Sequence, residues 1–433
     1  MTIVVSDMIG SGIFFTTGFV IFSIAWGPGV LGAWVVGGML AMLGALSYGE
    51  MAAAYPKAGG EYNYLREAYG PLFGFLSGWT SLFIGFSAPI AIGALAFVKY
   101  LGFFVPGLGE KNILFTLPGI TVTPGLILAL CVILILACFH FLGRGTDKRF
   151  QVVLTILKIA AIVGLILVAA FSGGGKVANI AAAAPDYKFS MLLFAAGIVP
   201  ITFCYSGWNA AAYIAGEIKN PGRNLPLAML GGTLIVTLIY LAINLVYLYA
   251  LPVTELKGVG RVAEKTVTSL LGQAGGAAIS AVIALSVVGA INAMMFIAPR
   301  VFYAMARDGL FFEFAAQVDP NTSVPRKSIM ALTAVALVMV LFGTLRDLLQ
   351  AAGFVLVVFS FLAVAAVFVL RVKQPNIERP YKAWGYPITP AIFCAFSIYL
   401  MYASFVFRIK STIAGIIIVL LGVPVYFWFR NRK

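Results

Sequence analysis

The stretch Ile198–Pro226 reads IVPITFCYSGWNAAAYIAGEIKNPGRNLP. It opens as an apolar helix of membrane grade. The pattern loosens at Tyr205-Ser206-Gly207, and Asn209 then places an amide at bilayer depth. A helical pattern resumes from Ala210 to Ala215 and ends in a charged, Asn/Gly/Pro-rich segment at 217–226. A helix facing lipid has no use for Ser, Gly and Asn together at mid-depth. A broken helix lining a cavity does, because the break frees backbone N–H and C=O groups to hold a polar solute.

A second stretch has the same character. Met8-Ile9-Gly10-Ser11-Gly12-Ile13 interrupts the first apolar segment with small residues. Two such interruptions, in corresponding places of two halves, point to a transporter with an internal repeat. For either stretch alone the competing reading is close helix packing, since Gly is common in membrane helices.

Composition sets the class. Of 433 residues, 62% are hydrophobic and 10% charged, with mean hydropathy +1.02. Soluble domains carry about 25% charged residues, so this is an all-α polytopic membrane protein with a single transport domain. The net charge of +14 would suggest a nucleic-acid partner in a soluble chain. Here Lys and Arg gathered in cytoplasmic loops explain it, and no nucleic-acid partner is expected. Cys131, Cys138, Cys204 and Cys394 lack metal-ligand spacing and read as buried structural residues. His140 closes an apolar span and reads as interfacial. No nucleotide-binding loop, metal cluster or nucleophile–base pair is present at a recognised spacing, so neither enzyme chemistry nor a cofactor or metal is expected. The first span begins at Met1 without a polar leader, and residues upstream are expected.

Twelve spans can be counted, at about 1–22, 28–54, 71–101, 122–142, 149–171, 191–216, 227–250, 276–303, 328–343, 348–370, 388–407 and 411–429. The amphipathic segment 55–70 is too polar to cross and reads as an interfacial or re-entrant element. Residues 254–272 suggest a short external helix. Spans one to five (1–171) and six to ten (191–370) each open with a broken helix. Five is odd, so the second set starts from the opposite side and the repeats are inverted. Spans eleven and twelve (388–429) stand outside the repeat. The larger share of the 29 Lys and Arg falls on the loops that share a side with the termini. The bias places both termini in the cytoplasm.

At each break, half-helix N-termini present N–H groups with partial positive charge, and C-termini present carbonyls. A zwitterionic amino acid offers a carboxylate to the first and an ammonium to the second. Gly10, Ser11 and Gly12 would admit the carboxylate because little side chain intervenes, while Cys204, Tyr205, Ser206 and Gly207 would supply carbonyls. Other small zwitterions fit the same pattern. Lys158 lies in the middle of span five, where a charge is costly and reads as functional. Its ammonium could stand where a coupling cation would bind, tying span five to the first broken helix, or it could gain and lose a proton. Snorkelling towards the cytoplasmic end is the competing reading. Asp7 either pairs with a basic residue when the cytoplasmic side closes or marks the interface. Glu50 is a gate or a packing ion pair. Trp208 is a pocket wall or a packed aromatic, and Phe203 a lid or ordinary packing. Asn209 is expected to bond backbone freed by the break. Asn292 and Met295 are candidate pocket-lining residues. Beside the breaks the only acid is Asp7, and basic partners are missing, so small neutral side chains are favoured.

Five stretches, in order, carry a resemblance. They are Ile9-Gly10-Ser11-Gly12-Ile13-Phe14; Tyr55-Pro56-Lys57-Ala58-Gly59-Gly60-Glu61-Tyr62; Tyr205-Ser206-Gly207-Trp208-Asn209 with Glu217 to Pro221 and Asn224-Leu225-Pro226; Pro299-Arg300-Val301 through Ala304 to Gly309; and Gly422-Val423-Pro424-Val425-Tyr426. With them the chain resembles the amino acid permeases of the amino acid–polyamine–organocation superfamily, and most of all the L-type amino acid transporter branch with its bacterial serine/threonine exchanger-like members. The resemblance implies a leucine-transporter-type fold, with a 5+5 inverted repeat plus two C-terminal helices. It implies alternating access and sodium-independent exchange of neutral L-amino acids in the cell membrane. It also implies substrate contacts at Ile9, Gly10, Ser11, Gly12 and Ile13 and at Phe203, Cys204, Tyr205 and Gly207, and a sodium-site substitute at Lys158. The run Cys204-Tyr205-Ser206 departs from the commoner family pattern, which puts side-chain preference in question. Animal members of the branch pair with a single-span glycoprotein; no such obligatory subunit is expected here. Proton-coupled symport through Lys158 is the alternative, and a membrane amino acid sensor that binds without turnover is a reading from another class.

Overall fold

A chain surrounded by lipid must satisfy its backbone polar groups within its own segment, and helices do this. The computed structural model describes the chain apart from residues 56–59, 110, 143–147, 214, 216–217, 308, 310, 318–324 and 432–433. Lys57, Glu217 and Asp308, all within stretches read from the sequence, therefore lie outside the described residues.

The helices, in order, are α1 (Thr2–Met8), α2 (Thr16–Val20), α3 (Gly27–Ala54), α4 (Glu61–Tyr69), α5 (Pro71–Thr80), α6 (Ala88–Leu101), α7 (Pro124–Phe141), α8 (Lys148–Ser172), α9 (Val177–Ala181), α10 (Met191–Cys204), α11 (Ala210–Tyr213), α12 (Pro221–Ala250), α13 (Val253–Leu256), α14 (Val262–Arg307), α15 (Arg326–Phe342), α16 (Leu345–Lys373), α17 (Ile388–Phe407) and α18 (Ile409–Arg430). Among the described residues eight helical stretches are long and apolar enough to cross a membrane, and Met191–Cys204 is a shorter apolar helix. The protein is an all-α, multi-pass membrane protein. Large apolar side chains face outward on its periphery, among them Ile127 and Ile135 of α7, Ile398 of α17 and Leu420 of α18. Lipid is the medium in which that costs nothing.

Proline opens many of these helices. Pro28, Pro71, Pro124 and Pro221 sit in first turns, where the missing N–H has no intrahelical partner to lose. Glycine sets the closest helix contacts. A Cβ on Gly38 of α3 would lie 2.5 Å from the Thr237 side chain of α12, and one on Gly37 would lie 2.7 Å from Ile201 of α10. Small residues there let three helices approach to backbone distance.

Several sequence expectations are adjusted. The long segment 71–101 contains a π-helical stretch at Ser81–Ser87 between α5 and α6, so a local widening of the helix absorbs part of its length. The helix expected from 227 begins at Pro221. The external helix expected at 254–272 is present as α13 and the first part of α14, which the non-helical Gly272, with φ +74°, separates from the span that follows. The expected loop at 102–121 carries a small hairpin, Phe115–Leu117 paired with Ile120–Val122 around Pro118-Gly119. Gly119 has φ +81°, the conformation that such a turn reserves for glycine.

Glu50 is a packing ion pair. It is buried near the end of α3 and receives Arg371 Nε at 2.9 Å and Nη2 at 2.6 Å, with Arg379 Nε at 3.3 Å and the Ala383 N–H at 2.7 Å. The guanidinium of Arg371 also lies 3.6 Å from the centre of the Tyr386 ring. One carboxylate thus ties α3 to the end of α16 and to the loop that follows.

Candidate functional site

Both expected interruptions are present. α1 ends at Met8; a 3₁₀ turn covers Gly12–Phe14, and α2 begins at Thr16. The turn leaves the N–H groups of Ser11, Gly12 and Ile13 outside its own ladder. α10 ends at Cys204, residues 205–209 form a turn, and α11 begins at Ala210. Gly207 carries φ +98°, a conformation strained for any residue with a Cβ.

The two interruptions meet. A Cβ on Gly12 would lie 2.8 Å from Cys204 Sγ, and one on Gly207 would lie 3.0 Å from the Met8 nitrogen and 2.6 Å from Asp7 Oδ2. The Cys204 thiol lies 3.2 Å from Thr16 Oγ1 and donates to it. Gly10, by contrast, has only the Met8 carbonyl oxygen, 4.0 Å from where its Cβ would stand. The glycines therefore do different work. Gly12 and Gly207 let the broken helices close on each other, and Gly10 leaves open space.

Tyrosines hold the freed carbonyls. Tyr240 of α12 lies within hydrogen-bond distance of Met8 O (2.6 Å) and Cys204 O (3.1 Å), one from each broken helix. Tyr247 donates to Ile13 O at 3.3 Å, and Tyr100 donates to Phe14 O at 2.8 Å. Ser206 Oγ donates to Phe203 O at 2.7 Å, so this serine serves its own turn. Tyr205 turns its ring away and donates to Trp34 O at 2.9 Å. What Tyr205 and Ser206 contribute to the break is main chain. The tyrosine girdle was not read from the sequence, because its members sit in ordinary apolar helices far along the chain from their acceptors.

Lys158 Nζ donates to Ser6 O at 3.4 Å, in the last turn of α1. A cation at a helix C-terminus meets both an orphan carbonyl and the negative end of the dipole. The link expected between α8 and the first broken helix is present. Asp7 is exposed, with its carboxylate against Gly207; among the described residues no ion pair joins it to Lys or Arg.

On one side of the breaks Phe15 and Phe19 pack with Ile92, Leu345, Leu349 and the half-buried Phe203, an arrangement that fits a lid and ordinary packing equally. Above it, Gly258 N–H donates to Gly18 O at 2.8 Å. The Phe22 ring lies between Arg346, at 4.1 Å, and Lys257, at 5.8 Å. Cation–π contacts of this kind hold a closed surface without carboxylates.

A cavity of about 60 Å³ opens beside α10, lined by Gly37, Glu61, Ser206, Asn209, Ser360 and Phe393 among others. Trp208 is one of its walls and packs edge-on against Tyr48 at 4.6 Å. The cavity borders the turn at 205–209 and includes none of Ile9–Ile13. Asn209 departs from expectation. Its Nδ2 donates to Glu61 Oε1 at 2.7 Å, because α4 brings a carboxyl group within its reach. Glu61 is thus an acid beside the second break that the sequence reading missed. Neither Asn292 nor Met295 is among the residues that line the cavity. Asn292 Oδ1 is 2.9 Å from His140 Nε2, and Met295 is fully buried in the core. His140 is consequently a buried residue, not an interfacial one. Of the cysteines only Cys204 is buried; Cys131 and Cys138 are exposed and Cys394 is intermediate, as suits thiols on lipid-facing helices.

Comparison with known proteins extends over the whole chain. The sequence pattern of the family described as amino acid permease matches residues 1–425. The serine/threonine exchanger SteT of Bacillus subtilis (strain 168) is 34% identical, over 100% of this chain and 96% of its own. The human cystine/glutamate transporter is 30% identical, covering 99% of this chain and 83% of its own length. The human b(0,+)-type amino acid transporter 1 is also 30% identical, over 100% and 87%.

Proposed function

Because this chain belongs to the amino acid permease family, and is a secondary amino acid transporter rather than an enzyme, we propose that it exchanges neutral L-amino acids by alternating access. The zwitterion sits at the two interruptions. Its carboxylate meets the N–H groups of Ser11, Gly12 and Ile13, and its ammonium meets main-chain carbonyls between Phe203 and Gly207. The carrying observation is the single Tyr240 hydroxyl that reaches a carbonyl of each broken helix. It shows main chain from both breaks within one residue's reach.

The reading has further parts. Twelve spans in two inverted sets of five plus two would place both termini in the cytoplasm of a cell-membrane protein. The face with Phe22 is then the outer one, closed here, and the breaks communicate with the inner side. Lys158 acts as a fixed charge, with its Nζ donating to Ser6 O near the negative end of the α1 dipole. Small neutral side chains are preferred, and no heavy-chain subunit is required.

The test is exchange in proteoliposomes. Vesicles preloaded with each unlabelled amino acid take up labelled L-serine, with and without sodium. Uptake that requires internal neutral amino acid and ignores sodium supports the reading. Uptake into empty vesicles at the same rate, or strict sodium dependence, overturns it.

A further inference from the structure

Two carboxylates stand near the end of α3 and at the start of α4, and they are treated differently. Glu50 is met by two arginines and a backbone N–H. Glu61 is met by neutral donors. Asn209 Nδ2 donates to its Oε1 at 2.7 Å, and the phenols of Tyr48 and Tyr213 stand beside it. Among the described residues no Lys or Arg lies within ion-pair distance of Glu61.

Among the described residues the other titratable neighbours do not supply positive charge. Tyr48 faces Glu61 from α3, Tyr64 from α4 and Tyr213 from α11, while Asp7 of α1 acts on Tyr213. The apolar walls of the adjoining cavity are Leu40, Ala41, Phe393 and Leu400. Burial pushes the Glu61 carboxyl above the ordinary carboxylate range. The cavity's roughly 60 Å³ admits several waters, which gives a proton a route.

We propose that Glu61 is a proton-binding site whose occupancy sets how tightly Asn209 and Tyr213 hold the second half of the broken helix. The inference deepens the exchange reading and rests on it for its transport consequence. A proton from cavity water adds to one carboxylate oxygen, the charge goes from −1 to zero, and no other covalent bond changes. The ionised group only accepts, and it draws the amide and both phenols inward. The protonated group presents an O–H of its own and keeps fewer strong acceptor sites, so α11 is released from α3 and α4. Movement of α11 relative to α1 changes the width of the passage beside Gly207, so the proton biases which state the solute meets.

Two measurements on the purified full-length chain decide this. Infrared difference spectra in detergent report the C=O stretch of a protonated carboxylic acid. As the pH is lowered the wild type should gain a band that Glu61→Gln removes and Asn209→Ala shifts. A spectrum unchanged by Glu61→Gln overturns the proton site. In proteoliposomes, the KM for labelled L-serine should change several-fold across the pH range in which that band appears in the wild type and stay flat in Glu61→Gln. Glu61→Asp, which keeps a titrating group, should move the profile without abolishing it. A wild-type pH profile retained by Glu61→Gln overturns the coupling. If no exchange occurs at any pH, the transport reading fails, and the infrared result still decides whether Glu61 binds the proton.

Discussion

The Tyr240 hydroxyl lies 2.6 Å from the carbonyl oxygen of Met8 and donates to it, across 232 residues of sequence. Met8 ends α1, so its carbonyl has lost its helical partner. The tyrosine takes the place of the missing turn. Tyr240 is fully buried among Trp34 and Tyr205, with ring centres at 5.4 and 5.2 Å.

Tyr240→Phe keeps the ring and deletes the donor. Met8 O would keep the Gly10 N–H at 2.8 Å, but Cys204 O would be left unmet, and an unmet buried carbonyl costs about 1–3 kcal/mol. The detergent-solubilised protein should unfold at a lower temperature, and exchange should slow by about tenfold or more, since the breaks lose their common anchor. Unchanged thermal unfolding and exchange would show that Cys204 O finds another donor.

Gly12→Ala should be rescuable. The new Cβ would stand 2.8 Å from Cys204 Sγ, the end of a short side chain. Gly12→Ala alone should lose most exchange activity, and adding Cys204→Ala should restore a measurable part of it. Residues in contact couple by about 0.5–3 kcal/mol, which a double-mutant cycle on exchange rate resolves.

Gly207→Ala should not be rescuable. Its φ of +98° costs a Cβ residue about 1–3 kcal/mol, and the neighbours at 3.0 Å are the main chain of Asp7 and Met8. Removing the Asp7 side chain as well should recover little. A Gly207→Ala, Asp7→Ala double variant with wild-type exchange would contradict this.

Glu50→Gln should destabilise without touching the site. It leaves Arg371 and Arg379 without their carboxylate, a loss of about 3–5 kcal/mol for a buried pair. Arg371→Lys should fail to compensate, because the pair is two-pronged and the guanidinium also stacks on Tyr386. The check is thermal unfolding, with the KM of the surviving folded fraction expected to remain unchanged.

Much of the site was legible because glycine, serine and proline mean something definite inside an apolar run. Gly10-Ser11-Gly12 and Tyr205-Ser206-Gly207 marked breaks in a medium that punishes unmet backbone groups, and both are broken. Lys158 stood out for the same reason, and its ammonium reaches α1. Where Asn292 and Met295 point was not legible, because a nearly all-apolar helix gives no phase. Nothing in such a run says which side faces His140 and which faces a cavity. Glu61 was missed because its meaning depends on where α4 packs.

The sequence by itself determined the medium, the helices and the two places where they are interrupted, since these follow from local composition and from the cost of bare main chain in lipid. Tertiary structure decided who answers the freed groups. Tyr240, Tyr247 and Tyr100 reach carbonyls on the first broken helix, and Glu61 reaches Asn209, from elements far away in the chain. A hydrogen bond acts over about 3 Å, so only packing that brings distant helices together can choose its partners.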